Sequence, residues 1–173
     1  MNNARQINQD SGNFEYYTPA SIVEAARRTL GGIDLDPASS AIANSTVRAR
    51  RYFTPSDNGL AQQWSGAVWM NHPFSREGNT LWIYKLVDSY TAGAVTAACC
   101  ITFAATSEKW FQPLLQFPQC FLSPRTNYFT AEGKKKTGVT KGSVVSYLGQ
   151  DVRRFACEFA PLGTIKIAFV EQP

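Results

Sequence analysis

The 173-residue chain has a single histidine, His72, and four cysteines of which no two form a C-x-x-C pair. A Cys/His zinc centre therefore lacks its ligand set, and no metal is expected. Long hydrophobic runs are missing too. The longest, Ala92 to Ala105, is broken by Thr96 and Thr102 and falls short of the roughly 18 apolar residues of a membrane helix, so no membrane partner is expected. The N-terminus, Met1-Asn-Asn-Ala-Arg-Gln, is polar where a signal peptide would be apolar. These absences imply a soluble, cytoplasmic protein in which Cys99, Cys100, Cys120 and Cys157 are buried free thiols. As neighbours, Cys99 and Cys100 would point to opposite faces of a strand.

What is present is a globular composition, 44% hydrophobic and 13% aromatic with 17% charged. The length suits one domain with its own core. Residues 1–13 are polar and read as a frayed tail, with a single domain from 14 to 173. The 17 basic and 13 acidic residues leave a net charge of +4, a weak sign of an anionic partner. Its distribution says more. Arg48, Arg50 and Arg51 cluster at the end of one predicted helix, and Lys134, Lys135, Lys136 and Lys141 crowd a short loop with no acid inside it. Such clusters suit phosphates, and they equally suit a solvated loop and an ordinary basic helix end.

Periodicity and punctuation predict alternating elements. Thr18 is placed as the N-cap of a helix with Pro19 at its first position and Gly31-Gly32 at its end. A short strand at Ile33-Asp-Leu-Asp, a helix over Ser40 to Arg51, a strand at Tyr52-Phe-Thr and a turn at Ser56-Asp-Asn-Gly follow. Ala67-Val-Trp-Met reads as a buried strand, Thr80 to Tyr90 as a helix, Val95 to Ala105 as a strand and Ser107 to Leu115 as a helix. Gln119 to Leu122, Ser143 to Leu148, Phe155 to Phe159 and Ile165 to Val170 are predicted strands. This is an α/β fold with a mainly parallel sheet and an antiparallel C-terminal edge.

In such sheets ligands bind beyond the carboxyl ends of the strands. Two ends carry chemistry here: Asp34-Leu-Asp36-Pro37-Ala38-Ser39 and Asn71-His72-Pro73-Phe74-Ser75. The first is also a good helix cap, and the second also a turn leading to a core phenylalanine. Yet the second holds what an aromatic base with an exocyclic amine requires. Asn71 Oδ1 and the His72 main-chain carbonyl would each accept a hydrogen from the amine, turning its lone pair toward an electrophile. Pro73 biases His72 toward extended geometry. Phe74 would stack on the base, worth roughly 1–3 kcal/mol.

Taken in order, Glu15-Tyr-Tyr-Thr-Pro, Gly32-Ile-Asp-Leu-Asp-Pro-Ala-Ser-Ser, Arg51-Tyr-Phe-Thr, Asp57-Asn-Gly-Leu, Trp64, Val68-Trp-Met-Asn-His-Pro-Phe-Ser, Gly142-Ser and Tyr147-Leu-Gly make the chain similar to a known family. From about residue 15 to 163 it resembles the small phage-type DNA N-6-adenine methyltransferases, the Dam family of phages and prophages. The resemblance implies a Rossmann-like S-adenosylmethionine-dependent methyltransferase fold, S-adenosylmethionine as methyl donor, and N6 of an extruded adenine in DNA as acceptor. It implies that Tyr16, Tyr17, Thr18 and Pro19 lie beside the methionine end of the cofactor. Asp34, Asp36, Pro37 and Ala38 would form the cofactor loop, with Asp57 at the ribose hydroxyls and Asn71 near the reacting group. Asn71, His72, Pro73 and Phe74 would be the catalytic tetrad. Ser75, Arg76, Arg125, Lys134, Lys135, Lys136 and Lys141 are the expected DNA contacts.

The sequence departs from the family's D/N-P-P-Y/F pattern at His72. A backbone carbonyl survives any substitution there, but the fixed φ of a second proline is lost. His72 is also open to reading as a general base. Cytosine-N4 methylation and a catalytically inactive DNA-binding relative stay open as alternatives. The protein is expected in the cytoplasm of a bacterial host; with most of the 173 residues in the catalytic sheet, short or relaxed target recognition is expected, and a small basic domain could act as a monomer or a homodimer.

Overall fold

The computed structural model describes residues 16–75, 78–130, 133–135 and 139–168. The expected tail at 1–13 lies outside them, as do Arg76 and Lys136 of the expected DNA contacts. Seven strands form one sheet: β1 (Leu35–Asp36), β2 (Arg51–Tyr52), β3 (Gly66–Met70), β4 (Val95–Phe103), β5 (Gln119–Leu122), β6 (Ser143–Leu148) and β7 (Gly163–Lys166). Their order is β2-β1-β3-β4-β6-β5-β7. The first four strands in that order pair in parallel, β6 is antiparallel to both β4 and β5, and β7 is antiparallel on β5. Five of the seven strands thus point one way, a mostly parallel sheet. The antiparallel pairing expected at the edge also reaches inward, because β6 lies between β4 and β5.

The buried strands read as continuous apolar runs because both faces of the sheet are covered. Trp69, Cys99, Ile101, Val145 and Tyr147 pack on one face with Ile22, Val23 and Ala26 of α1 (Ala20–Leu30) and Phe155 and Phe159 of α4 (Val152–Phe159). Val68, Met70, Ala98, Cys100, Val144 and Leu148 pack on the other with Ile83 and Leu86 of α3 (Gly78–Thr91) and with Trp110, Phe111 and Leu114 of a 3-10 segment. Cys99 and Cys100 do take opposite faces.

Four expectations are corrected. Phe155 to Phe159 is a helix rather than a strand: Asp151 Oδ1 accepts the Arg154 N–H at 2.9 Å as an N-cap, and the i, i+4 pair Phe155 and Phe159 supplies the buried stripe. That phase turns Cys157 outward, so it is exposed while Cys99, Cys100 and Cys120 are buried. Helix α1 starts one residue late, with Pro19 as its cap and the Thr18 hydroxyl bonded to nothing among the described residues. The segment after β4 winds as a 3-10 helix, Lys109–Leu114, around Pro113, which has no N–H to give an α-turn.

The helix α2 (Ala41–Val47) is capped by Ser40 Oγ on the Ala43 N–H at 3.1 Å and ends at Arg48, whose φ of 52° is left-handed. From β1 the chain runs through α2 outward to β2, then returns to β3 on the other side of β1. The loops leaving β1 and β3 therefore diverge around a crevice, the switch point at which such sheets hold ligands. No helix among the described residues is long and apolar enough to cross a membrane.

Candidate active site

The segments that follow β1 and β3 form facing walls of one cleft of about 560 Å³. Asp36-Pro37-Ala38-Ser39-Ser40 and α2 build one wall, and Asn71-His72-Pro73-Phe74 the other. Phe53, Thr54, Pro55, Asn58 and Gly59 line the side reached from β2. Gly59 is required for that approach, because a Cβ there would collide with the Pro37 carbonyl oxygen. Trp64 holds it down, donating Nε1–H to the Gly59 carbonyl at 2.8 Å.

Tyr16, Tyr17 and Thr18 run as a strap beside these walls. Tyr17 and Phe129 exchange backbone hydrogen bonds of 2.9 and 3.0 Å, and the Tyr17 hydroxyl lies 3.2 Å from Ser40 Oγ. Asn71 Nδ2 donates to the Tyr16 carbonyl at 2.6 Å. A carbonyl accepts only, so this bond fixes the amide orientation and leaves Asn71 Oδ1 as the open acceptor.

His72 is 1% exposed. Its Nε2–H donates to Asn79 Oδ1 at 2.9 Å, and its ring stacks on Trp82 at 6.3 Å and meets Phe74 edge-on at 5.5 Å. Burial pushes its pKa down to about 4, against a small upward pull from the Asn79 bond. The ring is therefore neutral at pH 7 and too weak a base to take a proton from an amine. Phe74 is half-buried, 4.6 Å from the Phe103 ring, with Tyr128 at 6.2 Å.

Asp36 is the buried carboxylate of the opposite wall, 2% exposed. Burial pushes its pKa up to about 7, while hydrogen bonds from Ser39 and the Ala38 N–H pull it down. Two hydroxyls of cleft-lining residues, Thr18 Oγ1 and Thr130 Oγ1, are buried without a partner among the described residues. Buried polar atoms are normally paired, so this clustering is what a polar ligand would resolve.

Other expected site residues fall elsewhere. Asp34 Oδ2 accepts the Ala67 N–H at 2.9 Å and Asp34 Oδ1 faces Arg50 at 3.4 Å, holding the start of β3, and Asp34 does not line the cleft. Asp57 closes a capping box on Thr54, with both bonds at 2.7 Å, outside the cleft lining. Pro19 caps α1, and Ser75 Oγ accepts the Gly78 N–H at 3.0 Å to start α3; neither lines the cleft. Arg125 is exposed and reaches the Val139 carbonyl at 3.4 Å. The lysines come closer to the mouth. Thr130 N–H bonds the Lys134 carbonyl at 2.9 Å and Lys135 bridges to Phe129, so both follow the cleft-lining strap partner. Lys141 Nζ lies 5.5 Å from the centre of Phe103, the ring packed on Phe74. All three are exposed and form no ion pair among the described residues. Arg48 and Arg50 meet Glu24 and Asp34 instead.

Sequence reasoning missed the Tyr16 carbonyl, Asn79, Trp82 and Thr130. The first is a backbone group and the next two are set by helix packing, so none leaves a pattern; Phe53 after a short strand did carry a signal. Among the described residues no His, Cys, Asp and Glu side chains gather as a metal site requires. The sequence model of the family described as DNA N-6-adenine-methyltransferase (Dam) matches residues 7–156. No curated protein matches the chain.

Proposed function

The chain belongs to the DNA N-6-adenine-methyltransferase family, and from that premise we propose that it transfers a methyl group from S-adenosylmethionine to N6 of an adenine turned out of DNA. Its main support is the Asn71 amide, whose Nδ2 is bound to the Tyr16 carbonyl so that Oδ1 is left to accept. The crevice between β1 and β3 favours a Rossmann-like description of the sheet.

The residues present suit the cofactor. The cleft falls within the roughly 300–1,000 Å³ of small-molecule sites. Asp36 would take its ammonium group, and the unpaired Thr18 and Thr130 hydroxyls would meet its carboxylate or ribose. Phe53 and Pro55 offer an apolar wall for its purine, with Tyr16, Tyr17, Pro37 and Ala38 around them. When bound, S-adenosylmethionine supplies an electrophilic methyl group on a cationic sulfur. Asn71 Oδ1 and the His72 carbonyl accept the two N6 hydrogens and aim the lone pair. The neutral His72 ring takes no proton; that proton leaves to water after transfer. Phe74 stacks on the base and offsets part of the few kcal/mol needed to unstack it.

Lys134, Lys135 and Lys141 contact phosphates in this reading. Changing all three to Gln is expected to weaken DNA binding about equally on every sequence. It should also reduce the slope of log K against log salt by about 0.9 for each phosphate no longer neutralised. A slope like the parent's would return them to solvated turns.

The reaction is tested with labelled S-adenosylmethionine on unmethylated DNA, followed by nucleoside mass spectrometry. N6-methyladenine is expected, and mapping the marks would define the target. N4-methylcytosine would move the acceptor, and no product with cofactor still bound by calorimetry would make the protein a non-catalytic DNA-binding relative.

A further inference from the structure

We propose that Asn79 is a positioning residue of the methyl-transfer site, acting through the His72 side chain to hold the Asn71 amide and the His72 carbonyl in line. The proposal rests on the methyltransferase reading above. Pro73 restrains the backbone of the residue before it, but nothing in the main chain fixes φ at His72 as a proline there would. A side chain anchored at its far end restrains that residue instead.

The anchor is firm on both sides. Asn79 is in the first turn of α3, its N–H bonded to the Ser75 carbonyl at 3.0 Å, and Ser75 Oγ takes the Gly78 N–H at 3.0 Å. The loop from 71 to 75 is thus tied at its start to the Tyr16 carbonyl, at its end to α3, and in its middle by the 2.9 Å bond from His72 Nε2–H to Asn79 Oδ1. Trp82, one turn further along α3, closes over the imidazole and is itself stacked on Trp64 at 5.8 Å. Asn79 is 8% exposed and His72 1%, so water does not substitute for either partner. Among the described residues no charged group bears on the ring, and burial and the Asn79 bond are what act on its protonation.

His72 is the only histidine, so one set of imidazole nitrogen resonances reports on the pair without assignment. The test combines those spectra with kinetics on wild type, Asn79→Ala and Asn79→Asp. Wild-type His72 is expected as the neutral Nε2–H tautomer, untitrated down to pH 5. Asn79→Ala is expected to lower kcat at least tenfold with the cofactor Kd by calorimetry near the parent's, and to lower the Tm by a few degrees because the buried Nε2–H is left unpaired. Asn79→Asp still accepts the Nε2–H; it should raise the His72 titration into the measurable range and keep kcat within a few-fold.

A parent-like kcat in Asn79→Ala, or a wild-type imidazole titrating near pH 6.5, overturns the proposal. If Asn79→Ala loses its fold, Asn79→Asp decides: a loss of kcat with the His72 bond intact also overturns it. Wild type that makes no N6-methyladenine removes the methyltransferase reading and this role with it. Methylating wild type with an indifferent Asn79→Ala removes this role alone.

Discussion

Asn71→Ala is expected to reduce methyl transfer by about a hundred- to a thousand-fold in kcat, the usual cost of deleting one preorganised hydrogen-bonding group at a reacting centre. Calorimetry should find S-adenosylmethionine bound nearly as in the parent, because the Asp36 wall is untouched. The loss should fall on kcat because, in the proposed reaction, Asn71 Oδ1 would polarise and orient the N6 amine, an interaction strongest as the nitrogen gives up its lone pair. Asn71→Asp sharpens the point. It keeps an acceptor but cannot donate to the Tyr16 carbonyl 2.6 Å away, so two oxygens would face each other across the strap. About a tenfold loss of kcat is expected, smaller than for alanine. Wild-type turnover by Asn71→Ala would sink the mechanism.

The parts of this site that were legible in the sequence are those written as strand ends. Val68-Trp-Met stops at Asn71 and Ile33-Asp-Leu stops at Asp36, and the parallel pairing of β1 with β3 brings those ends together. Asp34 and Asp36 look alike as a pair of acids in a short strand, yet only one of them meets the cleft. Asp34 binds the Ala67 N–H and Arg50, while Asp36 enters the cleft wall. Asp57, expected at the ribose hydroxyls, is engaged as a cap, because a turn acid three residues after a threonine serves equally as one. Phe155-Ala-Cys-Glu-Phe159 was misread as a strand because five residues with aromatic ends fit either period; the Asp151 cap upstream was the deciding signal. The ties that hold the tetrad left no trace. Asn79 and Trp82 reach His72 only because α3 packs on the face of the sheet that carries Met70.

Affinity for S-adenosylmethionine is expected to fall about ten- to thirty-fold between pH 7.5 and 5.5, and the group responsible is Asp36 rather than the lone histidine. Asp36 has a pKa raised to about 7 by burial, whereas His72 has one lowered to about 4 and is uncharged throughout that window. An ammonium ligand binds the ionised carboxylate, so protonating Asp36 must weaken it. Without ligand the sign for stability is the reverse. The folded state holds the Asp36 proton more tightly than the unfolded state does. Its contribution is therefore full below about pH 4 and is lost as pH rises to 7, on the order of 4 kcal/mol. Asp36→Asn separates the two effects: it should raise the Tm of the ligand-free protein at pH 7.5, weaken cofactor binding, and flatten the pH dependence of Kd. A variant that keeps the inflection near pH 7 would assign it to another group. A destabilised one would mean that the carboxylate holds the fold rather than the ligand. That exchange of stability for affinity is expected of a carboxylate buried with only the Ser39 and Ala38 hydrogen bonds and no cationic partner among the described residues.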